Sequence, residues 1–264
     1  MNELFVAAIL GLVEGITEFL PISSTGHLIL FGHLLGWTGV RADTFEVFIQ
    51  SGAMLAVLVH YRERFIGLVR PAPGGGFAGP RGIALLALAT VPALVAALLF
   101  RKGIQAHLFR VEYVASAFVV GGIAILLLDR PGRGGEVTSL DAIGPRLAIG
   151  IGLFQCLALW PGISRSAATI LGGMILGCDR KTSAEFSFFA AVPILLAAGA
   201  HEMVKNAGSL STADTGIFAV GFLVSFVSAL GVIRVLLGYV TTRTFAPFGW
   251  YRIAVGGAIL LLWI

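Results

Sequence analysis

Charged residues are scarce in this chain of 264 residues: Asp, Glu, Lys and Arg together make up 12% of it. Soluble domains carry about 25% charged residues, so the deficit argues against an ordinary water-soluble domain. Hydrophobic residues make up 57% of the chain and form runs near the length needed to cross a bilayer. The sequence therefore predicts an integral membrane protein, with spans near 45–60, 83–100, 113–128, 185–201, 216–237 and 250–264.

Cysteine and N-terminal basic residues are also rare. The two cysteines, Cys156 and Cys178, lie in apolar surroundings, which is typical of small buried residues rather than of a disulfide or metal pair. The N-terminus lacks a basic region and Glu14 interrupts its first apolar run, so no cleavable signal peptide is expected. The net charge of +4 comes from Lys and Arg scattered through the loops, which indicates membrane topology rather than nucleic-acid binding.

A repeat runs through the chain. PISS at 21–24 resembles PGIS at 161–164, which pairs Ser24 with Ser164. Three further matches occur in the same order in both halves of the chain: 11–15 with 152–156, 45–48 with 184–187, and 120–128 with 255–262. We therefore predict a single membrane domain over 1–264, with one repeat at about 1–130 and a second at about 146–264.

Each repeat opens with an apolar segment, 4–36 or 146–178, that proline interrupts. Such a segment predicts a helical hairpin that enters the membrane and returns to the same side, and three spans follow each one. An odd number of crossings inverts the second repeat relative to the first. The predicted fold class is an all-α polytopic membrane protein with an inverted-topology repeat, two re-entrant hairpins and about six full transmembrane helices.

The distribution of positive charge predicts the orientation. Segments 61–82 and 129–146, with Arg180 and Lys181, are richer in basic residues than the alternate loops. Those alternate loops contribute Arg101, Lys102, Arg110 and Lys205. Since basic loops favour the cytoplasm, both termini and the mouth of the first hairpin are expected to face outward.

Two carboxylates stand out in the first hairpin. Glu14 and Glu18 are spaced by four residues, so they share one helix face before Pro21 ends the helix. A carboxylate in an apolar setting is costly unless something pairs with it. A lone glutamate could simply form a structural ion pair with Arg165. Two glutamates close together favour a functional site instead.

Both hairpin turns have features of an anion site. Ser23 or Ser24 can cap the helix after the first turn, and His27 follows Ser24 by three residues on the same face. The second turn repeats this pattern at Ser164 and adds Arg165, whose planar guanidinium matches phosphate oxygens. A helix N-terminus itself attracts phosphate.

The serines alone favour nothing more than a helix cap. Together with two intramembrane carboxylates, a histidine and an arginine, they favour a functional site. A phosphate hydrolase and an anion transporter both fit such a site. Clustered glutamates repel an anion unless they bind a metal or a proton, so hydrolysis explains more of the pattern.

EGITEFLPISSTGH at 14–27 and PGISRSAAT at 161–169 resemble the two signature motifs of the undecaprenyl-diphosphatase family, also called bacitracin-resistance proteins. The likeness covers nearly the whole chain. It implies hydrolysis of undecaprenyl diphosphate to the monophosphate, which recycles the lipid carrier of bacterial cell-wall synthesis. It also implies a divalent cation, Mg²⁺ or Ca²⁺, as cofactor. The alternative is an inverted-repeat transporter or flippase of an anionic prenyl lipid.

The resemblance implies roles for individual residues. The catalytic residues that match the motifs are Glu14, Glu18, Ser24, His27 and Arg165. The expected substrate-binding residues are Ser23, Thr25, Ser164, Arg165 and Ser166. Glu14 and Glu18 are expected to bind the metal, and either Ser24 or His27 is the nucleophile.

The expected partners are a polyprenyl diphosphate substrate and membrane lipids, without nucleic acid, and a homodimer is a candidate assembly. The expected location is the bacterial inner membrane, as a multi-pass protein whose active site opens to the periplasmic side.

Overall fold

The computed structural model describes residues 2–70, 75–108, 110–130, 132 and 134–263. Parts of the two basic segments, 71–74 and Pro131 and Arg133, lie outside the described residues, as does the end of the last predicted span. Within these ranges the chain forms the helices α1 Glu3–Thr17, α2 Ser24–Leu35, α3 Val40–His60, α4 Arg62–Leu68, α5 Gly79–His107, α6 Val111–Leu128, α7 Pro145–Gln155, α8 Arg165–Ile175, α9 Arg180–Lys205, α10 Asp214–Val240 and α11 Ala246–Trp263.

In the described part of the chain, five helices are long and apolar enough to cross a bilayer: α3, α5, α6, α9 and α10. The shorter apolar helix α11 packs along α6. Five of the predicted spans fall within α3, α5, α6, α9 and α10, and the described part of the sixth, 250–263, falls within α11. The prediction of an all-α polytopic membrane protein is confirmed.

Two helix pairs form hairpins, α1 with α2 and α7 with α8. At 1.5 Å per residue, the 15 residues of α1 cover roughly 22 Å, which is less than the ~30 Å hydrocarbon core of a bilayer. Pro21 follows α1, and a 3₁₀ turn at Cys156–Leu159 with Pro161 follows α7. Both hairpins therefore turn back before a full crossing.

Ion pairs show which helix ends lie together. At one end of the protein, Arg41 near the start of α3 pairs with Glu3 at 2.9 Å and with Asp214 at 2.6 Å. At the other end, Arg64 just after α3 pairs with Asp141 just before α7, at 3.1 Å. Because α3 separates the two ends, α1 and α7 start at opposite ends. The hairpins thus open in opposite directions, as an inverted repeat requires.

Each hairpin packs against a spanning helix of the other repeat, α1 on α10 and α7 on α5. Glycine permits both close approaches. A Cβ atom on Gly11 would lie 2.5 Å from the carbonyl oxygen of Gly221, and one on Gly152 would lie 2.8 Å from that of Ala89. This exchange of hairpins makes the two repeats one packed body.

Equivalent serines begin the second helix of each hairpin. Ser23 has φ +71° and Ser164 has φ +77°, and among the described residues no other non-glycine residue has a positive φ. Each hydroxyl accepts a backbone N–H three residues later, from Gly26 at 3.3 Å and Ala167 at 3.2 Å. The structure therefore pairs Ser164 with Ser23. The sequence alignment, which paired Ser164 with Ser24, was wrong by one residue.

A buried arginine on α11 joins the two hairpin turns. The Arg252 side chain is fully buried and uses each of its five N–H groups. It donates to the carbonyl oxygens of Pro21 at 3.0 Å, Ile163 at 2.8 Å, Gly162 at 2.7 Å, Ala117 at 3.0 Å and Phe118 at 3.2 Å. One side chain thus satisfies carbonyl groups from both turns and from α6.

Replacing Arg252 should destabilise the protein strongly. Arg252→Lys leaves at most three donors for five buried carbonyls, and each orphaned acceptor costs about 1–3 kcal/mol. Arg252→Met removes every donor, so we expect a lower unfolding temperature than for the lysine variant. Thermal unfolding in detergent measures both, with the exposed Arg243→Lys as control. An Arg252→Lys protein as stable as wild type would contradict this account.

Candidate active site

A cavity of about 200 Å³ lies where the two hairpin turns meet. Its polar lining comes from both hairpins and from α3, and consists of Glu18, Ser23, Ser24, Thr25, Gln50, Gln155, Ser164 and Arg165. Apolar side chains of α5 and α9, among them Ala93, Ile194 and Leu195, complete the wall. The cavity therefore presents a few converging polar groups in an apolar frame, which is typical of a ligand site.

Both helices that begin at the cavity point their N-termini into it. Ser23 and Ser164 cap α2 and α8, so Ser24 and Arg165 are the first helical residues. The first backbone N–H groups of a helix lack partners within the helix, and they carry partial positive charge. Two such ends at one cavity form a site for an anion such as phosphate.

Glu18 and Ser24 form the shortest polar contact of the site. The Ser24 hydroxyl donates to Oε2 of Glu18 at 2.5 Å, and both residues are buried. Such a distance is typical of a hydroxyl bound to a carboxylate. A carboxylate within hydrogen-bond reach of a serine can take its proton as a general base. The Ser24 hydroxyl thus lies within reach of a carboxylate that can accept its proton.

Arg165 is held against the other oxygen of Glu18. Its Nη2 lies 3.1 Å from Oε1 of Glu18, and its Nη1 donates to the carbonyl oxygen of Ser187 at 2.8 Å. The hydroxyls of Thr169 and Ser187 lie 2.7 Å apart and support this contact. The Nε atom is buried without a hydrogen-bond partner. The guanidinium is therefore fixed against Glu18 and Ser187 in the lining of the cavity.

His27 lies behind the turn rather than in the cavity lining. Its Nδ1 is 2.7 Å from the carbonyl oxygen of Ser23, and its Nε2 is 2.7 Å from the hydroxyl of Tyr251. The side chain is buried, and both ring nitrogens have partners. Of the two residues predicted as nucleophile, the geometry favours Ser24. Spacing along the helix could not show that the imidazole of His27 faces the opposite side of the turn.

Glu14 lies one helical turn behind Glu18. It is fully buried, and neither of its carboxylate oxygens has a hydrogen-bond partner. Carboxylate oxygens without hydrogen-bond partners can serve as ligands of a hard divalent cation. Among the described residues, no group of three His, Cys, Asp or Glu side chains is arranged to hold a metal. A cation at Glu14 and Glu18 would therefore take its other ligands from water and substrate phosphate, as Mg²⁺ commonly does.

The predicted substrate ligands divide into two groups. Ser23, Thr25 and Ser164 line the cavity, as expected. Ser166 does not: it is buried, its hydroxyl donates to the carbonyl oxygen of Leu20 at 2.8 Å, and it lies 2.9 Å from the Ser164 hydroxyl. Ser166 is therefore placed away from the cavity lining, where its hydroxyl joins the two hairpins, and a substrate contact for it stays a prediction.

Sequence reasoning missed two amides of the cavity, Gln50 and Gln155. Gln155 donates to the carbonyl oxygen of Ala89 at 3.1 Å, and its Oε1 is buried without a partner. A signal for it existed, because the match between 11–15 and 152–156 places Gln155 opposite Glu14. Gln50 is an amide within an apolar span, which was a weaker signal.

Comparison with known proteins shows which family the chain belongs to. The family model described as Bacitracin resistance protein BacA matches residues 7–258. The undecaprenyl-diphosphatase of Nitratidesulfovibrio vulgaris is 54% identical over 255 residues, which is 97% of this chain and 96% of that protein. The undecaprenyl-diphosphatase of Maridesulfovibrio salexigens is 52% identical over 263 residues, which is 100% of each.

A third relative, undecaprenyl-diphosphatase 1 of Chromobacterium violaceum, is 50% identical over 266 aligned residues, covering 98% of this chain and 96% of that protein. These matches include both hairpins and the six apolar helices. The resemblance seen in the two motifs is therefore confirmed over the length of the chain, and the chain belongs to the bacitracin resistance protein BacA family.

Proposed function

We propose that this protein is a membrane phosphatase that hydrolyses undecaprenyl diphosphate to undecaprenyl phosphate and inorganic phosphate. The names of its relatives support this substrate. The observation that carries the proposal is the hydrogen bond from Ser24 to Glu18, opposite Arg165, at the junction of two helix N-termini. The lipid product of this hydrolysis is the carrier that cell-wall synthesis reuses. Removal of undecaprenyl diphosphate accounts for bacitracin resistance in the family.

In the first step, the terminal phosphate lies against Arg165 and the N-termini of α2 and α8. Ser24 Oγ attacks the terminal phosphorus while its proton passes to Glu18. An Oγ–P bond forms and the anhydride P–O bond breaks. Undecaprenyl phosphate leaves with the electron pair of that bond, and Arg165 stabilises the charge on the phosphoryl oxygens.

In the second step, water replaces the lipid phosphate beside the phosphoserine. Glu18 returns its proton to the leaving lipid phosphate or to solvent, and then takes one from the attacking water. The O–P bond to Ser24 breaks, Ser24 Oγ takes back the proton that Glu18 accepted from the water, and inorganic phosphate is released. The sum is hydrolysis of one anhydride bond by one water molecule.

A divalent cation, Mg²⁺ or Ca²⁺, is proposed at Glu14 and Glu18. Its support is the pair of buried, unpartnered oxygens of Glu14. When bound, such an ion neutralises charge on the diphosphate oxygens. The two carboxylates are one turn apart, so the same ion would relieve their mutual repulsion.

We place the protein in the bacterial inner membrane, with both termini and the mouth of the first hairpin on the periplasmic side and the cavity open to that side. Basic residues are concentrated at the end of the molecule that carries Arg64 and Asp141, which assigns that end to the cytoplasm. The opposite end, which carries both termini, then faces the periplasm. The prenyl tail would lie among the apolar spans and the membrane lipids.

Purified protein in detergent should release inorganic phosphate from undecaprenyl diphosphate when Mg²⁺ or Ca²⁺ is present. Detergent offers no second compartment, so a transporter or flippase would release none. Ser24→Ala is the control for contaminating phosphatases and should be inactive. Absence of turnover, together with movement of a prenyl diphosphate across vesicle membranes, would favour the transporter alternative.

Arg165→Lys should lower kcat/KM about 100-fold, although it keeps the positive charge. Lysine is a point charge and cannot contact Glu18, Ser187 and a phosphate oxygen in the fixed geometry of a guanidinium. Arg165→Ala should lose more activity than Arg165→Lys. Steady-state kinetics of both variants test this, and wild-type activity in Arg165→Lys would show that charge alone suffices.

Glu14→Gln should raise the cation concentration that gives half-maximal activity about tenfold. The amide nearly preserves the shape of the side chain while it removes one of two charges that attract the ion. Titration with Mg²⁺ and with Ca²⁺ after chelation measures the shift. Glu136→Gln, which removes an exposed carboxylate outside the cavity lining, is the control. An unchanged titration curve in Glu14→Gln would remove Glu14 from the cation site.

A further inference from the structure

We infer that Tyr251 is a positioning residue for the reaction, which acts through His27 on the turn that carries the nucleophile. The inference rests on the proposed function. Its basis is a chain of two hydrogen bonds, from the Tyr251 hydroxyl to His27 at 2.7 Å and from His27 to the carbonyl oxygen of Ser23 at 2.7 Å. Ser24 is the next residue along the chain.

The direction of these hydrogen bonds follows from the chemistry of the partners. A carbonyl oxygen only accepts, so Nδ1 of His27 carries the hydrogen and donates it to Ser23. In a neutral imidazole, Nε2 is then the acceptor, and the Tyr251 hydroxyl donates to it. The two rings are nearly parallel, with an angle of 6° and centroids 5.7 Å apart. The Ser23 carbonyl thus selects the tautomer of His27, and the Tyr251 hydroxyl holds the ring in its orientation.

The turn that His27 holds needs support. Ser23 has φ +71°, a conformation that costs a non-glycine residue about 1–3 kcal/mol and persists only where its surroundings fix it. The carbonyl of Ser23 accepts both the backbone N–H of His27 at 3.2 Å and the imidazole Nδ1–H. Because Ser24 follows directly, a rotation of this carbonyl would move the attacking hydroxyl away from Glu18.

The second hairpin shows what the same turn looks like without the imidazole. Ser164 has the same positive φ, and its carbonyl accepts the backbone N–H of Ala168 at 3.0 Å. Ala168 occupies the position that matches His27 and has no side-chain donor. The histidine and its tyrosine therefore support the turn that precedes the proposed nucleophile, whereas the turn that precedes Arg165 has only the backbone hydrogen bond at this position.

The test compares Tyr251→Phe with wild type in phosphate release from undecaprenyl diphosphate. The phenylalanine keeps the stacked ring and removes only the donor to His27. We expect kcat to fall about tenfold with KM within about twofold, because displacement of the reacting group by about 1 Å can cost up to 100-fold in rate. Tyr113→Phe is the control, because its side chain is exposed to the same extent, 43% for each residue.

A double-mutant cycle with His27→Asn shows whether Tyr251 acts through His27. The double variant should be no slower than His27→Asn alone, since the tyrosine hydroxyl then has no imidazole to hold. Independent, additive losses in the two variants would overturn the inference, and so would a wild-type kcat in Tyr251→Phe. Turnover by the wild type tests the proposed function separately.

A second measurement does not depend on activity. In protein labelled with ¹⁵N-histidine, the signal that disappears in His27→Asn should show hydrogen on Nδ1 and an acceptor at Nε2. Tyr251→Phe should shift the Nε2 resonance towards that of a nitrogen without a donor. An unchanged Nε2 resonance in Tyr251→Phe would show that the tyrosine does not set the state of His27.

Discussion

The candidate active site depends on hydrogen-bond partners for the backbone carbonyl groups at two helix breaks inside a membrane. The bilayer core offers no water, so each carbonyl at a helix break needs a partner within the protein. Arg252 supplies partners for Pro21 and for Gly162, which are equivalent positions of the two hairpins. With the carbonyls of both turns bound on one side by this guanidinium, the N-termini of α2 and α8 face the cavity on the other. One buried side chain thus fixes the relative position of the two halves of the site.

The two repeats contribute different chemistry from the same place. Ser24 and Arg165 are both the first helical residue after a serine cap, and both contact Glu18. In the proposed mechanism, one equivalent position carries the attacking oxygen and the other carries the phosphate ligand. Glu14 and Gln155 show the same division, since a carboxylate in the first hairpin is matched by an uncharged amide in the second. An inverted repeat of this kind builds an asymmetric site from symmetric backbones.

Much of this arrangement could be predicted from the sequence because it depends on local patterns. Hydropathy located the spans, proline and serine located the turns, and the spacing of Glu14, Glu18 and Arg165 indicated an intramembrane site. The pairing of Ser24 with Ser164 was wrong because it aligned Pro21 with Pro161, whereas the register of the match between 11–15 and 152–156 pairs Ser164 with Ser23. The contribution of Arg252 was not predicted, since an arginine near the start of an apolar run resembles an ordinary interfacial residue. Tyr251 contacts His27 across 224 residues of chain, a distance that no local pattern reports.

The central claim is that phosphoryl transfer passes through the hydroxyl of Ser24. The most direct measurement is rapid acid quench of the enzyme during turnover of undecaprenyl diphosphate, followed by mass spectrometry of its peptides. The account predicts a phosphoserine at Ser24 that forms and decays at rates compatible with kcat. Phosphate found on His27 instead, or a single-step inversion of configuration at phosphorus with no phosphorylated peptide, would contradict it.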